Sequence, residues 1–333
     1  MKTGTLQGRV AVVAGATRGA GRGTAMSLGA AGATVYCTGR STREAGATPG
    51  RPETIEETAE LVTAAGGTGI PVRVDHTREE DVIRLFELVR AEGRGLDILV
   101  NDVWGGDEIT EWGTPFWATD LAKGRLLMET GVWAHVLTAR HGLPLMVEQR
   151  RGLLIEVTDG DTFGYRGAFF YDLVKASTMR LAYAFASELH DTGVTALAVT
   201  PGFLRSEAML ARFGVTEANW RDGAKNDPHF IESETPAFVG RAVAALAADP
   251  DVSRRAGGIY ASWTLAREYG FTDADGRRPD WGAYWEKLIT EIAARGPQND
   301  DERFLLKMRS YQLDFDARLQ PEGRGLRERL NQR

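Results

Sequence analysis

Seven short apolar runs, each closed by turn residues, recur through the first 261 residues: Val10–Ala14, Thr34–Thr38, Ile70–Val74, Ile98–Val100, Leu153–Thr158, Thr195–Thr200 and Gly258–Ala261. Runs this short, rich in β-branched residues and flanked by turn formers, fit strands buried on both faces. Between them lie amphipathic stretches such as Glu53–Ala65 and Glu79–Glu92, acidic at the start and soon followed by glycine, as helices are. Strands that hide both faces, alternating with helices, call for a parallel sheet covered by helices on each side. The expectation is a single doubly wound α/β domain with a seven-stranded parallel sheet, spanning residues 1–264.

Three parts break the rhythm. Residues 41–52 form a long Gly/Pro-rich connection after the second run, and residues 203–236 interrupt the alternation as a substrate lid would. Beyond residue 264 strand signals stop, so 265–333 is expected to be a mostly helical extension ending in a disordered tail, Gly323–Arg333. Forty basic against 46 acidic residues leave a net charge of −6 with no long run of one sign. Such a chain has no global attraction for nucleic acid or anionic membrane. No stretch approaches the roughly 18 apolar residues of a membrane helix. Glycine and arginine break the N-terminal apolar run before it reaches signal-peptide length, so a cytoplasmic location is expected. Cys37 is the only cysteine and lies in an apolar run, which points to a core residue rather than a disulfide or metal ligand. Asp159-Gly-Asp161 and Asp273-Ala-Asp275 lack the rest of a calcium-ligand set and read as turns; no metal is expected.

The first run leads straight into Gly15-Ala-Thr-Arg-Gly19-Ala-Gly21-Arg-Gly23, and a helical stretch, Thr24–Ala31, follows. Glycines between a strand and a helix allow a tight turn and let the backbone approach a pyrophosphate seated at the positive end of that helix. In the first strand–helix turn of a doubly wound pattern, this is where a dinucleotide belongs.

Tyr171 and Lys175, four residues apart, share one face of a predicted helix. Gly-x-x-x-Gly-x-Gly with Tyr-x-x-x-Lys 150 residues after Gly21 resembles the short-chain dehydrogenase/reductase superfamily over residues 6–263. Other markers of that family stand in order: Asp75, Leu99-Val-Asn101, Thr158 thirteen residues before Tyr171, and Pro201-Gly202. Ala247-Ala-Asp-Pro250 and the stretch from Leu265 to Arg277 resemble the subgroup typified by dehydrogenase/reductase SDR family member 1. The resemblance implies a Rossmann-type fold and an oxidoreductase acting on a small carbonyl or alcohol, as a homodimer or homotetramer. It implies cofactor contacts from Gly15, Thr17, Arg18, Gly19, Ala20 and Gly21, and from Arg40 and Ser41 after the second strand. Asp75 would bind the adenine amino group, with His76 beside it also readable as structural. Asn101 and Val103 would line the adenosine side, Tyr171 and Lys175 the nicotinamide ribose, and Pro201, Gly202, Leu204 and Ser206 the lid side.

Charge argues which dinucleotide. Where an NAD enzyme of this design ends its second strand on an acid, this chain reads Thr38-Gly39-Arg40-Ser41. No carboxylate there repels a 2′-phosphate, and Arg40 and Arg18 offer charge-assisted bonds to it. NADP(H) is the expected cofactor.

In the resembled family the tyrosine moves a proton to or from the substrate oxygen while the lysine lowers the tyrosine pKa. A serine orients the carbonyl, and an asparagine on the preceding helix anchors a relay water. Carried across, Tyr171 and Lys175 match, Thr158 takes the serine place, and Glu129 in Leu126–Val136 falls on the asparagine place. Glu129 has two readings: a carboxylate that works the relay, or the mark of a lost one. The second would leave a dinucleotide-binding sensor instead of an enzyme. Trp104, Trp112, Phe116, Trp117, Trp133, Phe163, Tyr165, Phe169 and Phe170 crowd the loops after the fourth and fifth strands and the helix between. They are expected to line a cleft for an apolar or aromatic substrate, while Asp159, Asp161 and Asp172 beside them could greet a basic amine.

Overall fold

The computed structural model describes residues 5–44, 46 and 51–319. The expected tail and residues 45 and 47–50 of the long connection lie outside the described residues. The strands are β1 (Val10–Ala14), β2 (Thr34–Gly39), β3 (Thr68–Arg73), β4 (Ile98–Asn101), β5 (Gly152–Val157), β6 (Val194–Thr200) and β7 (Ile259–Ala261). All pair in parallel, in the order β3-β2-β1-β4-β5-β6-β7. The order reverses between β1 and β4, and the crevice at such a switch point is where doubly wound sheets bind ligands. Ala14 sits level with both Thr38 and Asn101, so β1, β2 and β4 end together along one edge.

The helices are α1 (Gly19–Ala30), α2 (Ile55–Ala64), α3 (Glu79–Ala91), α4 (Leu121–Met128), α5 (Ala134–Glu148), α6 (Phe169–Glu188), α7 (Glu207–Phe213), α8 (Pro236–Ala248), α9 (Ser262–Tyr269), α10 (Trp281–Arg295) and α11 (Asp300–Leu319). One core joins Val13, Val35, Ile155 and Val199 to Leu28 of α1 and Val239 and Val243 of α8. The other joins Val12, Leu99 and Leu154 to Phe86 of α3 and Leu145 and Met146 of α5. Alternate strand residues thus supply opposite faces, as the side-chain period of two demands.

Two expected boundaries shift, and for one reason. α1 begins at Gly19, not Thr24, and β3 begins at Thr68, not Ile70. The glycines that suggested loop are sites of backbone contact. A Cβ on Gly23 would stand 1.9 Å from the Pro236 carbonyl oxygen, and one on Gly240 would stand 2.2 Å from that of Gly23. α1 and α8 therefore cross backbone to backbone. A Cβ on Gly69 would likewise meet the Ala59 carbonyl of α2 at 2.0 Å. Gly240→Ala is expected to cost about 1–3 kcal/mol of folding stability, since only backbone could yield. Urea unfolding measures it, and a midpoint equal to wild type would show that the helices can part freely.

Residues 203–236 do interrupt the alternation, with α7 and two short 3₁₀ turns, Trp220–Lys225 and Pro228–Glu232. The segment is closed at its neck: Arg205 N–H donates to the Glu234 carbonyl at 2.7 Å and Glu234 N–H to that of Phe203 at 2.9 Å. Buried Arg205 fills the inside, bonded to Ser233 and Glu217 and stacked 4.0 Å over Trp220. The C-terminal helices rest on this unit. Trp281 of α10 packs edge-on to Phe203 with ring centroids 5.7 Å apart, and the Tyr284 hydroxyl pairs with His229 at 2.8 Å.

Candidate active site

The glycine loop follows β1 directly. Gly15 has φ +89°, in the left-handed region that favours glycine, and a Cβ there would stand 2.3 Å from the Asp102 carbonyl. Gly21 would collide with Gly15 at the same distance. No side chain fits between the loop, the start of α1 and the end of β4. The first amide of α1, Gly19 N–H, donates to Glu207 Oε2 at 2.8 Å. A carboxylate from the lid thus occupies the anion-favouring helix end. Leu204 and Ser206 reach the same glycine, each 3.8–3.9 Å from its Cβ position. Ala20 and Thr17 are buried in the turn, where Thr17 offers its carbonyl to Arg22.

Arg18 lies 3.3 Å from Glu53, a buried carboxylate already held bidentate by Arg51. That contact lacks hydrogen-bond alignment, and Arg18 Nε and Nη2 are buried without a partner. The sequence argument found no acid near the second strand; the fold brings Glu53 back to it, balanced by Arg51. Arg40 is exposed, and its charge is felt by Asp75. Burial would raise the Asp75 pKa, but two bonds from Thr77, then Arg40, hold it below the usual range. These are residues a dinucleotide fits: a cradle closed to any Cβ, a helix end already holding an anion, and an orphaned guanidinium.

His76 turns into the core between Thr38 and Thr138, 2.8 Å from each hydroxyl. Its ring is therefore engaged inside the core, the structural reading of this residue. Burial pushes it down to about 3, so one of the two hydroxyls donates to the neutral ring. Asn101 is also interior: its amide donates to Glu156 at 2.7 Å and to the His135 carbonyl. His135 Nδ1 meets Glu156 Oε2 at 2.6 Å and its Nε2 meets the Val103 carbonyl at 3.1 Å. Both partners are acceptors, so both nitrogens carry hydrogen and the ring is a cation. Burial lowers its pKa, and Glu156 more than restores it.

The reacting pair lies on α6. Tyr171 O–H donates to Asp159 Oδ2 at 2.9 Å. Thr158, expected in the serine place, is buried and gives its proton to the Lys175 backbone carbonyl at 2.8 Å. The group beside the phenol is therefore Asp159, and Thr158 is structural. Neighbouring residues leaving a strand point opposite ways, and that alternation is the signal that could have separated them. Arg166 fastens this loop, donating to the Asp159 carbonyl at 2.5 Å and pairing with Asp172 at 3.1 Å. Lys175 was expected to lower the Tyr171 pKa. Instead burial, and then Asp159, push it well above its ordinary value, so the phenol stays protonated. The lysine ammonium stands 4.3 Å over the Trp104 ring. Burial lowers its pKa, against Asp159, Asp102 and Asp107.

Glu129 is corrected too. It is exposed, and its carboxylate has no hydrogen bond to any described residue. A π-helical turn, Glu129–Trp133, joins α4 to α5, and its extra residue brings Gly131 to the inner face instead. A Cβ on Gly131 would stand 2.5 Å from Val174 and 3.2 Å from the Trp104 ring. An indole thus fills the space expected of a relay residue. Asp102, missed as a site residue, lies beside Lys175, and burial pushes it up to about 7.

Of the expected aromatics, Trp104 and Trp112 pack on Tyr171, with centroids 5.5 and 4.9 Å away. Phe116, Phe169 and Phe170 cluster next to it. Phe169, Phe170 and Tyr171 line a small hollow of about 10 Å³ together with Ile109 and Leu127. Trp117 and Trp133, 87% and 54% exposed, face away from that cluster, and Phe163 and Tyr165 are also exposed. Gln312 of α11 reaches Gly164 in the loop between β5 and α6, so the C-terminal extension touches that loop.

Glu234, buried below the lid neck, accepts from Gly202 N–H and the Ser262 hydroxyl, and burial pushes it up to about 8. Asp102 and Glu234, protonated when folded, contribute stability that is complete below their unfolded pKa near 4 and lost as pH rises through 7 and 8. His135, with a raised pKa, loses its contribution in the same direction above about 6.5. His76 acts oppositely, but only below 6.5. Stability is therefore expected to fall from about pH 4 to about pH 8, His76 offsetting part of the fall below 6.5, measurable as urea midpoints, and Glu234→Gln should flatten part of it. An unchanged midpoint over that range would contradict these assignments.

Comparison with known proteins agrees with this frame. Residues 9–214 match the family model for short chain dehydrogenases. The chain is 35% identical over 277 residues to mouse Dehydrogenase/reductase SDR family member 1, covering 82% of this chain and 85% of the mouse protein. It is 33% identical to the human protein of that name, at the same coverage. A short chain dehydrogenase structure from Mycobacterium thermoresistibile superposes with a TM-score of 0.68 over 83% of this chain and 92% of its own, at 21% identity. The chain belongs to the short-chain dehydrogenase/reductase family, oxidoreductases that use a nicotinamide dinucleotide.

Proposed function

We propose that the chain is an NADP(H)-dependent reductase that exchanges hydride with the carbon of a polar double bond, C=O or its nitrogen analogue, in an apolar or aromatic substrate. The observation that carries this is Tyr171 and Lys175 on one face of α6, between the dinucleotide cradle and an aromatic cleft. The bound cofactor would supply the hydride. Lys175 would anchor its ribose, held in place by Trp104 and by carboxylates on three sides. Tyr171, kept protonated by its surroundings, would act as donor to a substrate oxygen, which favours reduction over oxidation. Trp104 and the aromatic wall would keep water from the reacting carbon. Glu207 would leave the Gly19 amide when the pyrophosphate takes that helix end, and the lid would close over it through Leu204 and Ser206. Arg18 and Arg40 would take the 2′-phosphate.

Cofactor oxidation against a panel of aromatic and aliphatic carbonyls and imines tests the reaction. NADPH is expected to bind at least tenfold tighter than NADH, and Arg40→Asp to remove most of that difference; equal affinities would sink the cofactor assignment. The indole in the relay space favours one other reading, a dinucleotide sensor without turnover. Tight NADPH binding with no substrate reduced would select it.

A further inference from the structure

Asp159 does not suit a ketone. When hydride adds to C=O, negative charge grows on the oxygen that faces Tyr171, and here a carboxylate stands 2.9 Å from the tyrosine oxygen. It competes for the proton the new alkoxide needs and repels the charge that forms. Its neighbours make matters worse for an anion. Asp102 and Asp107 act on the same Lys175, the Arg166 charge is paired with Asp172, the Trp104 ring already holds a cation in Lys175, and Trp112 packs beside Tyr171. Asp159 Oδ2 is held by Tyr171, while Oδ1 has no hydrogen bond to any described residue. One oxygen is fixed and the other is left to accept.

Resting on the hydride-transfer reading above, we infer that the electrophile is a protonated C=N bond carried by an aromatic or cyclic apolar body, and that Asp159 accepts its N–H. A neutral imine is a poor hydride acceptor. A carboxylate beside the nitrogen favours the iminium form at neutral pH, and the aromatic walls favour the same charge. In the reduction, the C–H pair of the reduced cofactor becomes the new substrate C–H bond and the C=N π pair becomes the nitrogen lone pair. Nothing leaves, and the N–H stays on nitrogen. The product is an amine, protonated later by water. Tyr171, donating into Asp159, is here a positioning residue that aims the carboxylate.

The test compares 1-methyl-3,4-dihydroisoquinoline with 1-tetralone, a ketone of similar size, in wild type, Asp159→Asn and Asp159→Ser. Wild type is expected to reduce the imine with kcat/KM at least tenfold higher, and Asp159→Ser to invert the preference. Binding of 1-methyl-1,2,3,4-tetrahydroisoquinoline, followed by tryptophan fluorescence with no cofactor present, should weaken at least tenfold in Asp159→Asn, whose shape preserves the fold. A wild type that prefers the ketone, or an amine Kd unchanged in Asp159→Asn, overturns the inference and leaves the oxidoreductase reading standing. If NADPH binds and neither substrate is reduced, both readings fall.

Discussion

Lys175→Met is expected to lower kcat/KM about a hundredfold on any substrate, the loss that follows when a reacting partner is misplaced by about an ångström. Asp159, Asp102 and Asp107 all act on the lysine, and its ammonium rests on the Trp104 ring. Methionine keeps the stem and its packing, so the fold should survive while the anchor for the nicotinamide ribose goes. The loss should divide between the two kinetic constants of the cofactor: KM rises because a contact is gone, and kcat falls because the ring is less well held. Asp102 should respond as well. Lys175 is the largest influence that opposes its upward shift, so in Lys175→Met the Asp102 carboxyl should titrate above 7, visible by difference infrared spectroscopy. A variant with wild-type kcat would remove Lys175 from the reacting centre.

His135→Ala should cost about 3–5 kcal/mol of stability, because it strands Glu156, which is fully buried, without its cation. Asn101 would still donate to one carboxylate oxygen, which is not enough to hold a charge in the core. The double variant His135→Leu with Glu156→Leu should recover most of the loss, since neither charge then needs a partner. Unfolding midpoints of the single and double variants provide the measurement. If the single substitution is nearly neutral, the pair does not exist as an ion pair.

The frame was legible because the strands carry it. Val10–Ala14 and Ile98–Val100 are apolar throughout and buried throughout, and only a parallel sheet covered on both faces accepts such runs. Glycine misled where it serves contact instead of turning: Gly19, Gly21 and Gly23 lie inside α1. That Tyr171 and Lys175 stand together on α6 was legible from their spacing, since residues four apart on a helix share a face. The supports of the pair were not. The spacing back from Tyr171 pointed to Thr158, but the chain leaves β5 at Val157, and the next two residues point opposite ways. Glu129 was placed by counting along a regular helix, and the π turn adds one residue that counting cannot see. The buried carboxylate Glu156 meets Asn101, 55 residues away, only because β4 and β5 pair, so its neighbours are a property of topology.

The closed neck of the 203–236 segment has a consequence for how this chain can change. The segment leaves the sheet and returns through one pair of backbone hydrogen bonds between Phe203, Arg205 and Glu234. It is a side loop in the topological sense, and extending such a loop adds little closure entropy while its ends stay joined. Insertions and exchanges between Ser206 and Ser233 would leave the register of β6 and β7 untouched. What a descendant binds and how fast it forms its sheet can therefore drift independently, with Glu234 as the fixed point between them.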